Sequence, residues 1–134
     1  MNVLVIDGQG GGIGKLLVFG IKSEYPDFFV TAVGANSIAT SAMLKAGADA
    51  AATGENAVCV GCRKADIIAG PVGIVIADAL LGEITPKMAA AIGQSDAKRV
   101  LVPVNHCDNI VVGVGDIPMA KLVQSAVKEI GKGS

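Results

Sequence analysis

The sequence predicts an α/β fold: a three-layer sandwich around a mainly parallel five-stranded sheet whose last strand runs antiparallel. Three observations carry this. Short β-branched, apolar runs alternate along the chain with segments of helical period. The first run, NVLVID over residues 2–7, is apolar almost throughout, the pattern of a strand buried on both faces. A glycine-rich turn then stands directly between that strand and the first helix, the order found in Rossmann-like folds.

The elements follow in order. Ile13, Leu16, Leu17, Gly20 and Ile21 recur at helical spacing, giving a helix over residues 12–25 that Pro26 stops. Residues 28–33 form the second strand. Ser37 caps a helix of small residues running through Ala46 and ended by Gly47. Residues 48–53 are an alanine-rich connection, and residues 55–64 a third helix. Residues 66–69 are the third strand, closed by Gly70-Pro71. Residues 73–81, apolar nearly all round, read as a helix in a buried or subunit-interface position. Thr85 caps the next helix, which starts on Pro86 and reaches Gln94. Residues 99–104 are the fourth strand. The polar loop over residues 105–109 is too short for a parallel crossover, so the strand over residues 110–114 is expected to pair antiparallel with the fourth. A last helix spans residues 118–130 and ends at Gly131. No repeat or linker divides the 134 residues, which suit a single Rossmann-like domain.

Net charge is −1, the pI is near 5.7, and no Lys/Arg cluster occurs. Nucleic acid and anionic membrane therefore lack their electrostatic footprint. The longest charge-free stretch, residues 28–44, is broken by Thr31, Gly34, Asn36, Ser37, Thr40 and Ser41. It also falls short of the roughly 20 apolar residues a membrane span needs. With 51% hydrophobic residues and a mean hydropathy of +0.59, the chain carries more apolar surface than its own core requires, which points to a homo-oligomer. The first residues show no signal-peptide pattern. The odd count of three cysteines, Cys59, Cys62 and Cys107, implies no disulfide framework. A cytoplasmic location is expected.

The turn reads Gly8-Gln9-Gly10-Gly11-Gly12-Ile13-Gly14-Lys15. Strand, glycines and helix in that order present backbone N–H groups and a helix N-terminus to an anion. The dinucleotide pattern G-x-G-x-x-G fails, because from Gly8 it meets Ile13 and from Gly10 it meets Lys15. The P-loop pattern fails at Gln9 and at Leu16. G-x-x-x-G-x-G does fit, at Gly8, Gly12 and Gly14, and resembles the cofactor loop of short-chain dehydrogenases. The resemblance stops at the loop: those enzymes carry a Tyr-x-x-x-Lys pair, whereas Tyr25 is followed four residues later by Phe29. Lys15 opposes the helix macrodipole unless a bound phosphate reverses the balance.

In an open parallel sheet, ligands bind outside the carboxyl ends of the strands, where residues 8–14, 34–37, 70–73 and 105–109 should converge. Asn36, Ser37, Gly70 and Asn105 thus join the eight turn residues as candidate contacts of a small phosphorylated ligand, NAD(P) or another nucleotide. Ser37 serves equally well as a helix cap. His106, the sole histidine, and Cys107 are weak catalytic candidates, and Glu55 and Glu83 are possible acids near helix ends. Cys59, Cys62, His106 and Cys107 have the inventory of a zinc site. The topology separates them by a strand of about 17 Å, however, against metal–ligand bonds of about 2.3 Å. No metal is expected.

Over nearly its full length the chain is similar to a family of short bacterial proteins, chiefly of Firmicutes, catalogued as domain of unknown function 3842. The residues carrying this are IDGQGGGIGK (6–15), NSIATSAMLKAGAD (36–49), GENAV (54–58), LGEITPKMAAAIGQS (81–95) and PVNHC (103–107). The resemblance implies only a Rossmann-like fold and carries over no particular activity. Three functions stay open: a nucleotide-binding sensor or accessory subunit, a cofactor-dependent enzyme using Asn105, His106 or Cys107, and an interaction module whose glycine turn is only structural.

Overall fold

The computed structural model describes residues 1–104 and 109–133. Its strands are β1 (Asn2–Asp7), β2 (Phe29–Gly34), β3 (Ala50–Thr53), β4 (Ile67–Pro71) and β5 (Lys98–Val102). Its helices are α1 (Gly12–Glu24), α2 (Ser37–Lys45), α3 (Glu55–Lys64), α4 (Pro86–Gln94) and α5 (Met119–Lys132). The strand order is β3-β2-β1-β4-β5 and every pairing is parallel, so the fold is Rossmann-like.

Strand alternation divides the core in two. Val3 and Val5 of β1 face α1, α2 and α5, where Leu17, Ile21, Met43, Val127 and Ile130 are buried. Leu4 and Ile6 face α3 and α4, packing with Val58, Ile68, Ile84, Met88 and Ile92. With both faces covered, the central strands carry no polar alternation, and this made β1 legible as apolar throughout. Among the described residues, no helix is long and apolar enough to cross a membrane.

Three expectations are corrected. The fifth strand is not residues 110–114. It is β3, which pairs parallel with β2 from Thr31↔Ala50 to Gly34↔Thr53. Residues 110–116 pass through turns at Gly113 and Gly115, and Ile110 and Val112 are 80% and 93% exposed. The antiparallel last strand is therefore replaced by a parallel edge strand that its alanines disguised, since alanine has weak strand preference. Residues 73–81 do not form a helix either. A single 3₁₀ turn, Val72–Val75, is followed by a knot of turns in which Asp78, Leu80 and Leu81 take left-handed φ of 66°, 57° and 57°. The knot closes through Asp78 N–H to Ile84 O (2.7 Å) and Ile84 N–H to Ala79 O (3.1 Å). Leu80 and Ile84 are buried beneath it.

The third correction concerns a cap. Asn36, not Ser37, caps α2, its Oδ1 accepting the Ala39 N–H at 2.9 Å. Thr85 caps α4 as its position before Pro86 requires, accepting from Met88 N–H at 3.1 Å.

Candidate functional site

β1 and β4 are neighbours, yet the chain leaves β1 toward β2 on one side and returns through β4 on the other. The carboxyl end of β1 is therefore the topological switch point, where a crevice opens between the connections that follow the two strands. Residues 8–11 leave β1 there, and residues 72–85 leave β4.

The turn is held from below by Asp7. Its carboxylate is only 5% exposed; Oδ1 accepts the Gly8 N–H and Oδ2 the Gly14 N–H, both at 2.7 Å. Burial pushes its pKa above the ordinary 3.8 and the charge of Glu83 adds to this, against the lowering pull of the Gly14, Gly8 and Ile13 amides. The folded chain thus holds this proton more tightly than the unfolded chain. The resulting stabilisation is complete below about pH 3.8 and disappears as the pH rises through the folded value. We expect the stability of the wild type relative to Asp7→Asn, from urea unfolding at stepped pH, to fall between acidic and neutral pH. A difference that grows over that range contradicts the burial argument.

Two turn residues are left-handed, Gln9 (φ 49°) and Gly11 (φ 71°); Gly11 turns the chain into α1, with its N–H on Gly8 O at 2.9 Å. The other glycines of the turn divide into two kinds. A Cβ on Gly8 would lie 2.7 Å from Glu83 Oε1, and one on Gly14 would meet Met43 and Asp7. At Gly10 and Gly12 a Cβ would meet nothing within 4 Å, and neither residue has positive φ. Nothing inside the described chain accounts for a glycine at these two positions.

Glu83 reaches across the crevice from the knot of turns. Gln9 N–H donates to its Oε1 at 2.5 Å, and Asn36 Nδ2 donates to its Oε2 at 2.6 Å and to Gln9 O at 2.9 Å. The structure therefore brings Asn36 to the turn, as its place after β2 suggested. Ser37, one residue on, is exposed and lines a cleft of about 630 Å³ between α1 and α2 with Lys15, Ile38, Ser41 and Lys45. Ile13 is half-buried in the first turn of α1.

Gly70 lies inside β4, not in a loop. A side chain there would overlap the backbone carbonyl of Ile6, so the sheet itself accounts for this glycine. Asn105, His106 and Cys107 lie outside the described residues. Glu55 accepts the Thr85 hydroxyl at 2.5 Å across the start of α3 and α4. Cys62 is buried, and burial together with the neighbouring Cys59 pushes its thiol up to about 11. Among the described residues, no group of three or more His, Cys, Asp or Glu side chains is placed to hold a metal.

The position of Glu83 had no local signal, because 74 residues separate it from Gln9 and only the β1–β4 pairing brings them together. Asp7 was visible as an acid ending a strand. Its role as acceptor for two turn amides required the geometry.

A family profile matches residues 2–133. The chain belongs to that family, described as Domain of unknown function (DUF3842). This DUF3842 chain is also similar to a dodecameric FMN-dependent UbiX-like decarboxylase from Escherichia coli O157:H7. The identity is 18%, the match covers 96% of this chain and 76% of that one, and the TM-score is 0.46. No residue of the DUF3842 chain is assigned a role from that likeness. Among curated proteins, nothing matches it.

Proposed function

We propose that the chain, acting as one domain, binds the phosphate of a nucleotide or dinucleotide through the Gly8–Gly14 loop, at the amides of Gln9, Gly10 and Gly12 and the N-terminus of α1, as a sensor or accessory subunit. The observation that carries this is the pair of glycines, Gly10 and Gly12, that neither backbone conformation nor packing explains. A missing side chain facing open space at a topological switch point is what close approach of a ligand to backbone requires. Two further observations support it. A carboxylate from elsewhere in the chain is already drawn onto the turn at Gln9 N–H, so the turn attracts anions. Lys15 in the first turn of α1 and Lys45 on α2 line one cleft with two serine hydroxyls and no acid, a fitting surface for the remainder of a phosphorylated ligand.

The test is a thermal-melt panel with NAD, NADP, ATP, coenzyme A, flavin nucleotides and S-adenosylmethionine. A ligand at about 100 times its Kd adds about 2.7 kcal/mol, which raises Tm by several degrees. We expect such a shift with one of them. Protein free of co-purified ligand that shifts with none favours an interaction module.

The reading extends to a homo-oligomer. Phe19, 63% exposed, and Leu16 lie on α1 beside a groove of about 570 Å³ shared with α5, and Ile38 and Leu44 are exposed on α2. A mass above the monomer is expected from sedimentation at micromolar concentration; a monomer there removes this part of the reading.

A further inference from the structure

The anion already on the turn belongs to the protein itself. Glu83 is carried by a segment with no regular helix beyond Val72–Val75, and it crosses the crevice to take the Gln9 N–H and the Asn36 side-chain amide. These are neutral N–H donors of the kind a phosphate oxygen uses. A carboxylate and a phosphate cannot share them without severe like-charge repulsion, and Asp7 lies close enough to feel the charge of Glu83 as well.

The segment that delivers Glu83 is conformationally loaded. Asp78, Leu80 and Leu81 stand in the left-handed region that non-glycine residues avoid, next to Gly82 at φ 86°. Leu81 projects into solvent, 87% exposed, so one side of the knot has no packing to hold it. The other side is anchored by buried Leu80 and Ile84 and by the start of α4 at Thr85. Swinging Leu81–Glu83 away while the two anchors stay in place costs two backbone hydrogen bonds, Gly82 N–H to Asp78 O and Glu83 N–H to Leu80 O, both 3.1 Å.

We propose that Glu83 is a competitor built into the chain: it occupies anion donors of the glycine turn in the free protein, and a phosphate ligand must displace it. The site then favours ligands whose phosphate outbids a carboxylate, and it couples occupancy to the position of residues 81–83. The inference rests on the phosphate-binding reading above and adds a determinant of affinity and a moving part to it.

The test uses the full chain and inorganic pyrophosphate, a probe without sugar or base, titrated calorimetrically into wild type, Glu83→Gln and Glu83→Ala. Both variants are expected to bind it about tenfold more tightly or better, as the charged acceptor of two hydrogen bonds no longer competes. In the wild type, saturating pyrophosphate is expected to speed amide hydrogen exchange at residues 81–83 while α4 stays protected. Unchanged affinity in folded variants overturns the competitor role and leaves phosphate binding intact. Weaker binding overturns it by making Glu83 a support for the bound state. Pyrophosphate that binds neither wild type nor either variant removes the phosphate reading itself, and this inference with it. If Glu83→Ala fails to fold, the Glu83→Gln titration and the exchange experiment decide.

Discussion

Gly12→Asp is expected to weaken ligand binding about 100-fold without harming the fold. Gly12 is the first residue of α1, has no positive φ, and leaves open space where a Cβ would stand. A carboxylate there complements the helix macrodipole by about 0.3–1 kcal/mol, and loss of glycine freedom in the unfolded chain adds about 0.4–1 kcal/mol. The melting temperature of the free protein should therefore hold or rise. Against a phosphate on the same amides, like charges about 4 Å apart repel by up to ~4 kcal/mol at an effective dielectric of 20, and partial exposure reduces this to about 3 kcal/mol. Affinity for the ligand found in the melt panel should fall about 100-fold. Gly12→Ala, which fills the space without a charge, separates steric from electrostatic exclusion. A Gly12→Asp protein that melts like wild type and binds equally well would falsify the site.

The opposite profile is expected at Gly70. Here the position opposes Leu101 of β5, and the missing side chain makes room for the backbone of Ile6 and for Ile74. A backbone carbonyl in the central strand cannot step aside as a flexible side chain does, so overpacking falls at the high end of its usual range. Gly70→Ala should cost about 3 kcal/mol in denaturant unfolding, with the midpoint lowered and the slope kept. Gly93→Ala is the control, since Gly93 lies exposed in α4 with nothing within 4 Å of a Cβ. It should be neutral or stabilising by about 1 kcal/mol. Equal effects at the two positions would mean that the glycines of this chain are not divided by packing as described.

Gly70 also shows where sequence reasoning stops. Followed by Pro71, it looked like the loop after a strand, and loops after strands hold ligands in this kind of fold. The strand in fact runs through Pro71, and the glycine serves sheet packing. Where pattern and environment agree, the reading held. NVLVID is β1, the glycine cluster opens α1, and the Thr85-Pro86 pair starts α4. Apolar runs were misjudged where composition mimics another element. Ala50–Thr53 lacks β-branched residues apart from Thr53, and its strand character comes from the ladder to β2. Residues 73–81 lack a polar face, so no period distinguished a helix from buried turns. Of the candidate site, the turn and Asn36 were legible from chain order alone. The carboxylate of Glu83 was noticed only as an acid near a helix end, because its contact depends on the reversal of strand order at β1 and not on spacing.

The central place of β1 has a consequence during synthesis. β1 is translated first and finds β2 soon after, but its other edge waits for β4, which pairs at Val3↔Ile67. At about 5–20 residues per second, the ribosome leaves that edge open for several seconds. Through that interval the nascent chain presents the bare edge of an apolar strand, the form most prone to pairing with the wrong partner. The stretch of the protein that must be shielded by chaperones or by speed is thus the same strand that later positions the glycine turn.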